Sequence, residues 1–267
     1  MINKHSVIKV LKWIASIFVI LLVILAILWG WFRNHSDRLW NIVSQECIPQ
    51  ALPANPSCLK VVLTPDAQRG YLVFKDRRGP LHFLLMPTTP IGGIESDTLL
   101  DATTTDYFQK AWQERTFIAQ KSEQPVPRDI VSLTVNSSYG RSQDQLHIHI
   151  SCIKPEVKAH LEAQLGRFSE RWTPVEYGIN NHEYIARTLT DSQFQQMSPF
   201  LRLAQEVPGA DKQMGMYGLA LVAYTSKNRV PMYLLLANKF DLLALDFGYT
   251  GDIQDYQCDL LKTADKL

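Results

Sequence analysis

The stretch WIASIFVILLVILAILWGWF, Trp13 to Phe32, runs for twenty residues without a charge. As a helix, twenty residues extend about 30 Å, the hydrocarbon thickness of a bilayer. The run therefore predicts an N-terminal transmembrane helix, with residues 1–35 as a membrane anchor and residues 36–267 as the body. Lys4, Lys9 and Lys12 precede it. Basic residues mark the cytoplasmic end of such helices, so the body is expected outside the cytoplasm. Trp29, Trp31 and Phe32 then form the outer interfacial belt. A cleaved signal peptide is the alternative, but its apolar core is shorter, roughly 7–15 residues, and ends at small residues. This run ends in LWGWF.

Cysteine usage agrees with export. Cys47, Cys58, Cys152 and Cys258 form no C-x-x-C pair, which argues against zinc ribbons and thioredoxin-type sites. An even number in an oxidising space suggests two disulfides among three possible pairings. Cys47 and Cys58 bracket the proline-rich IPQALPANPS, so Cys47–Cys58 with Cys152–Cys258 is the favoured arrangement. Four buried free thiols in a reducing compartment is the competing reading. The formal net charge is +1, with no basic module, so a nucleic-acid partner is not expected.

The body reads as α+β. SDRLWNIVSQEC has helical spacing, and GYLVFKDRRGPLHFLLMP reads as a hairpin of strands 71–75 and 81–86. Residues 104–124 read as one helix with Tyr107, Ala111, Phe117 and Ile118 facing inward. VSLTVNS and LHIHISCI are strands, with a helix starting at Pro155 after them. HEYIARTL is a strand, 191–207 a helix, MYGLALVAY and VPMYLLLAN a second hairpin, and DIQDYQCDLLKTA a closing helix. The second half faintly echoes the first, without a residue-level repeat.

The stretch QDQLHIHISC carries the chemistry. Side chains alternate across a strand, so Leu146, Ile148, Ile150 and Cys152 share an apolar face. Gln143, Gln145, His147, His149 and Ser151 share the other. The histidines have three readings. They are surface residues of an edge strand; or metal ligands, with His82, His182 or Glu183 as a third; or a nucleophile and its assistant. HEYIAR is not H-E-x-x-H, so a metalloprotease reading fails, though His182, Glu183 and Arg187 remain cleft candidates. Arg115 and Arg141 are candidate phosphate neutralisers.

HFLLMP, a long helix, a strand ending in Asn136, a turn containing Gly140 and then HIHIS follow the order of the histidine triad superfamily of nucleotide hydrolases and transferases, which the chain resembles. Gln145 stands where that family's first histidine would be, His147 at the middle one and His149 at the third. IVSQECIP, GPLHFLLMPT, GIES, WQER, QPVPRDIVSLTVNSSYGRSQ, HIHISCI, HEYIAR and YGLALV are more narrowly similar to the bacterial CDP-diacylglycerol pyrophosphatase family, a membrane-anchored branch. The resemblance implies a HIT-like antiparallel sheet with helices, and hydrolysis of CDP-diacylglycerol to CMP and phosphatidate without a metal or other cofactor. It implies that His147 and His149 are catalytic, and that Asn136, Gln143, Gln145, Ser151 and His82 contact substrate. In an H-x-H-x-Q register, His149 becomes the nucleophile and Ser151 stands in for glutamine. The implied partners are CDP-diacylglycerol and the lipid bilayer, and the implied location is the bacterial inner membrane, single-pass, with the catalytic domain in the periplasm. An apolar lip beside the site is expected for the lipid part, its residues unassigned. The rival functions are a membrane-anchored nucleotide- or lipid-binding domain without turnover, and CMP transfer to an acceptor other than water.

Overall fold

The computed structural model describes residues 4–49 and 55–264; in the first helix, side chains are described for residues 11–26 and 36. That helix, α1, runs Lys4–Ser36. Among the described residues, no helix is long and apolar enough to cross a membrane. The expected N-terminal transmembrane helix is thereby corrected, and the single-pass inner-membrane anchor with it. The side chains of Trp29, Trp31 and Phe32 lie outside the described residues.

After α1 come a short helix α2, Arg38–Asn41, and a π-helical turn, Ile42–Cys47. Leu39, Val43 and Cys47 recur every fourth residue and face inward onto Leu72, Phe74, Leu84 and Met86. The body is a ten-stranded sheet flanked by helices, and every strand pair in it is antiparallel. In chain order the strands are β1 Cys58–Val62, β2 Tyr71–Lys75, β3 Phe83–Pro87, β4 Val131–Val135, β5 Ile148–Ile153, β6 Thr173–Pro174, β7 Tyr184–Thr190, β8 Tyr217–Thr225, β9 Pro231–Lys239 and β10 Gln254–Asp255. Their spatial order is β1-β2-β3-β5-β4-β8-β9-β7-β6, with β10 on β5. From the central β4–β8 pair outward, one half reads β4, β5, β3, β2 and the other β8, β9, β7, β6. The two halves share this order about a pseudo-two-fold axis.

The helices follow the same plan. Between β3 and β4 lie α3, Tyr107–Glu114, and α4, Thr116–Ser122; between β7 and β8 lie α6, Asp191–Gln196, and α7, Pro199–Glu206. Helix α5, Pro155–Glu162, follows β5, and α8, Asp259–Ala264, ends the described chain. The expected single helices over 104–124 and 191–207 are thus each two. Ser198 caps α7 by accepting from the Phe200 N–H, and Pro199 sits in its first turn, which starts a new helix rather than continuing α6. Thr190 and Gln193 close a reciprocal capping box on α6.

One sheet face buries Phe83, Leu85, Leu133, Ile148, Ile150 and Leu221 under Phe108, Ile118, Phe194 and Phe200 of these helices. The other face carries two separate apolar patches. One lies under residues 39–47; the second, with Ala186, Ala220 and Leu236, lies under Val157 and Leu161 of α5 and Ile253. His82, His149 and Ser151 fall between these two patches, because strand alternation puts them opposite Phe83, Ile150 and Cys152. The cysteines pair as Cys47–Cys58 and Cys152–Cys258.

Candidate active site

Three imidazoles meet on that second face. His147 immediately precedes β5 and His149 lies within it; their ring centroids are 4.9 Å apart, edge to face. Residue 82 adjoins the start of β3, whose Leu84 pairs with His149 across the ladder. That register brings His82 Nε2 to 2.8 Å from His149 Nδ1. On the far side of His82, Asp76 Oδ1 stands 3.4 Å from Nδ1, at the edge of hydrogen-bond length and within ion-pair reach. Tyr256 stacks on the His82 ring with centroids 3.8 Å apart. The chain just before His147 is pinned by the Leu146 N–H, which donates to the Ile91 carbonyl at 2.6 Å.

Proton positions follow from the partners. A carbonyl only accepts, so the 2.6 Å contact between His147 Nδ1 and the Gln145 carbonyl places a proton on Nδ1 and leaves Nε2 with its lone pair. Burial pushes the His147 pKa down to about 4, against which the Gln145 hydrogen bond only partly acts. The ionised Asp76 carboxylate, 3.4 Å away, favours a proton on His82 Nδ1, which leaves His82 Nε2 to accept from His149. His149 then keeps a lone pair on Nε2, a buried atom with no hydrogen-bond partner. Burial, followed by the neighbouring His147 and His82, holds His149 well below the usual imidazole range, and burial lowers His82. For Asp76, burial acts upward, but hydrogen bonds from His82 and the Arg78 backbone hold the carboxyl down to about 2. The cluster at neutral pH is therefore one carboxylate and three neutral rings. Exposed Arg78 lies near enough to depress both His82 and His149.

The remaining sequence candidates sit elsewhere. Gln145 donates its amide to the carbonyls of Pro87 and Thr89, tying the end of β3 to the turn before His147. Gln143 accepts from the Leu39 N–H at the start of α2. Ser151 donates to the carbonyls of Leu81 and Asp255, bridging β5 to its neighbours. Asn136 accepts from the Gly251 N–H at 3.1 Å and positions that loop. Arg141 forks onto Glu95 and also reaches Asp144, while Arg115 lies over the Trp112 ring. His182 pairs with Asp246 and Arg187 with Glu206. Asp76, Arg78 and Tyr256 were absent from the sequence candidates. Asp76 and Arg78 read there as turn formers, and Tyr256 arrives from across the chain.

Among the described residues, no group of three or more His, Cys, Asp or Glu side chains is placed to hold a metal ion. His82 Nε2 and His149 Nδ1 bond each other instead. The arrangement offers a buried neutral nucleophile in His147 and, beside it, a base in His149 backed through His82 by a carboxylate. A relay of this kind suits attack on an electrophilic phosphorus followed by activation of water.

Residues 34–262 match the family model described as CDP-diacylglycerol pyrophosphatase. The chain is also 42% identical over 256 residues to a CDP-diacylglycerol pyrophosphatase of Yersinia pestis, covering 95% of this chain and 96% of that protein. With the match running through the histidine strand, the hairpin that supplies His82 and the segment that supplies Tyr256, the chain belongs to the CDP-diacylglycerol pyrophosphatase family.

Proposed function

We propose that this chain hydrolyses CDP-diacylglycerol to CMP and phosphatidate through a covalent nucleotidyl-histidine intermediate on His147. Family membership supports the substrate and the reaction. The observation that carries the intermediate is the His147 tautomer: Nδ1–H is held by the Gln145 carbonyl, and Nε2 is free to attack. In the first step, Nε2 bonds to the phosphorus bearing cytidine, and the bond to the bridging oxygen breaks. Phosphatidate leaves as a phosphate monoester, whose second pKa near 6 makes protonation unnecessary at pH 7. In the second step, water attacks the same phosphorus and its proton passes to His149 Nε2. The P–N electrons return to His147, and His149 then gives its proton to solvent. His82 and Asp76 stabilise the transient His149 cation, and Arg78 offers charge to the phosphates.

The order of elements, matching the histidine triad arrangement, supports the same assignment. Two disulfides support an oxidising compartment, and the periplasm is the location we propose. His149 as nucleophile is the second reading, favoured by its unpartnered buried Nε2.

The test is turnover on CDP-diacylglycerol in detergent with excess EDTA, following CMP and phosphatidate together. A single-turnover reaction with cytidine-labelled substrate is then quenched in alkali, where phosphoramidates survive. We expect equimolar products and a labelled protein adduct, both lost in His147→Ala. More than a few per cent of wild-type turnover in His147→Ala sinks the assignment. An adduct that disappears only in His149→Ala transfers it to His149. CMP appearing on a non-water acceptor makes the chain a transferase.

A further inference from the structure

Between β9 and the 3-10 turn Thr250–Ile253, the loop FDLLALDF at residues 240–247 presents the most exposed apolar side chains of the described body apart from Tyr177. Leu243 is 97% exposed, Leu245 68% and Leu242 62%. The tip, Leu-Leu-Ala-Leu, bears no charge.

The loop is built rather than slack. The backbones of Asp241 and Asp246 exchange two N–H···O bonds of 2.8 Å across its neck. The Asp241 carboxylate turns inward and accepts from the Leu243 and Ala244 N–H groups at 2.8 and 3.2 Å. The Leu245 N–H donates to the Leu242 carbonyl. Three successive tip N–H groups are thus satisfied inside the loop, which a segment leaving water for hydrocarbon requires. Leu245 holds φ +53°, a left-handed backbone that glycine or asparagine adopts at less cost. A branched aliphatic side chain in that position, facing solvent, has no packing reason in the chain itself.

The neck seats the loop on residues 137–139, in the connection between β4 and His147. Phe240 stacks on Tyr139 at 4.0 Å, with Phe247 6.1 Å from Phe240. Ser137 donates its hydroxyl to the Phe247 carbonyl and its N–H to the Gly248 carbonyl. Gly248 has φ +62°, and a Cβ there would fall 2.7 Å from that of Ser137, so the loop lies flush on the turn that leads into His147.

We infer that the leucine tip enters the acyl layer of a phospholipid surface and holds the histidine cleft against it. This rests on the proposed substrate being a diacyl lipid, which resides in such a surface. A rigid, uncharged leucine cluster seated on the turn that leads into His147 reaches the acyl boundary while the histidines stay at headgroup level.

The test uses the full chain with Leu243→Cys, whose thiol is the one available because the native cysteines are all paired. It is labelled with an environment-sensitive fluorophore and mixed with phosphatidylethanolamine–phosphatidylglycerol vesicles carrying brominated acyl chains. The same label at Tyr177→Cys, 88% exposed, is the comparison. We expect several-fold quenching at 243 and little at 177. Equal quenching at both, none at 243, or a concentration-dependent change without lipid, which would mean a second copy or another protein surface, overturns the inference. In parallel, Leu243→Asp is expected to raise KM for vesicle-borne CDP-diacylglycerol at least tenfold and to leave dihexanoyl substrate, dispersed as monomers, within twofold. Equal loss on both substrates counts against a lipid contact. A wild-type chain that turns over neither substrate while position 243 is quenched sinks the substrate reading and still supports the lipid contact.

Discussion

His147 has only one nitrogen to offer, because the other is committed to the Gln145 carbonyl. With its pKa lowered to about 4, the ring stays neutral across the physiological range. We expect kcat/KM to hold level from neutral pH down to about 5 and to fall below that, rather than to titrate near 6.5; a pH profile in detergent reads this directly. Asp76 acts at one remove, by fixing His82 as a donor at Nδ1 and an acceptor at Nε2. Asp76→Asn can present its N–H to His82 and invert that tautomer, so kcat should drop on the order of 10²-fold with KM little changed. Unchanged kcat would remove the relay. Ser151 shows the opposite case. Its hydroxyl shares its one proton between the carbonyls of Leu81 and Asp255, with no imidazole among the partners described. Ser151→Ala should therefore cost about 1–3 kcal/mol in urea unfolding while turnover per folded molecule is retained.

Strand β5 is held along its length by β3 and β4 and at its end by β10 and the Cys152–Cys258 disulfide. The disulfide spans 106 residues, long enough for about 2–5 kcal/mol of stabilisation. Replacing both cysteines by alanine should lower the urea midpoint accordingly. It should also lower kcat, because β10 leads directly to Tyr256, which covers His82. Period-two alternation made β2, β3, β4 and β5 readable in the sequence, and it put His147 and His149 on one face. Alternation could not reveal what each polar residue on that face bonds to. Gln145 and Ser151 look like His149 in the pattern, yet they serve the backbone of β3 and β10. The breaks at Arg115 and Ser198 interrupt patterns whose apolar spacing continues across them; only Ser198-Pro199 carried a cap signal. The two-residue β10 is too short for any periodic signal, and its pairing with β5 is a contact across about a hundred residues.

At the scale of the molecule, one half of a pseudo-symmetric sheet holds the imidazoles and the other does not. Three histidines buried neutral make folding sensitive to acid. Unfolded, each takes up a proton as pH falls through about 6.5; folded, burial lowers all three, His147 to about 4 and His149 well below the usual range. Stability present above pH 6.5 should decline as pH falls toward 4, by roughly 3 kcal/mol for His147 alone. Urea midpoints at pH 7 and 5 test this, and equal midpoints would count against neutral burial. The cluster also draws on residues 76, 82, 147, 149 and 256. A ribosome making this chain delivers His147 more than a hundred residues before Tyr256, which covers His82, and Cys258, which locks the strand after it. Through that interval the nascent polypeptide carries the His147 ring without its finished surroundings. The proposed site is complete only once residues 254–258 have been delivered.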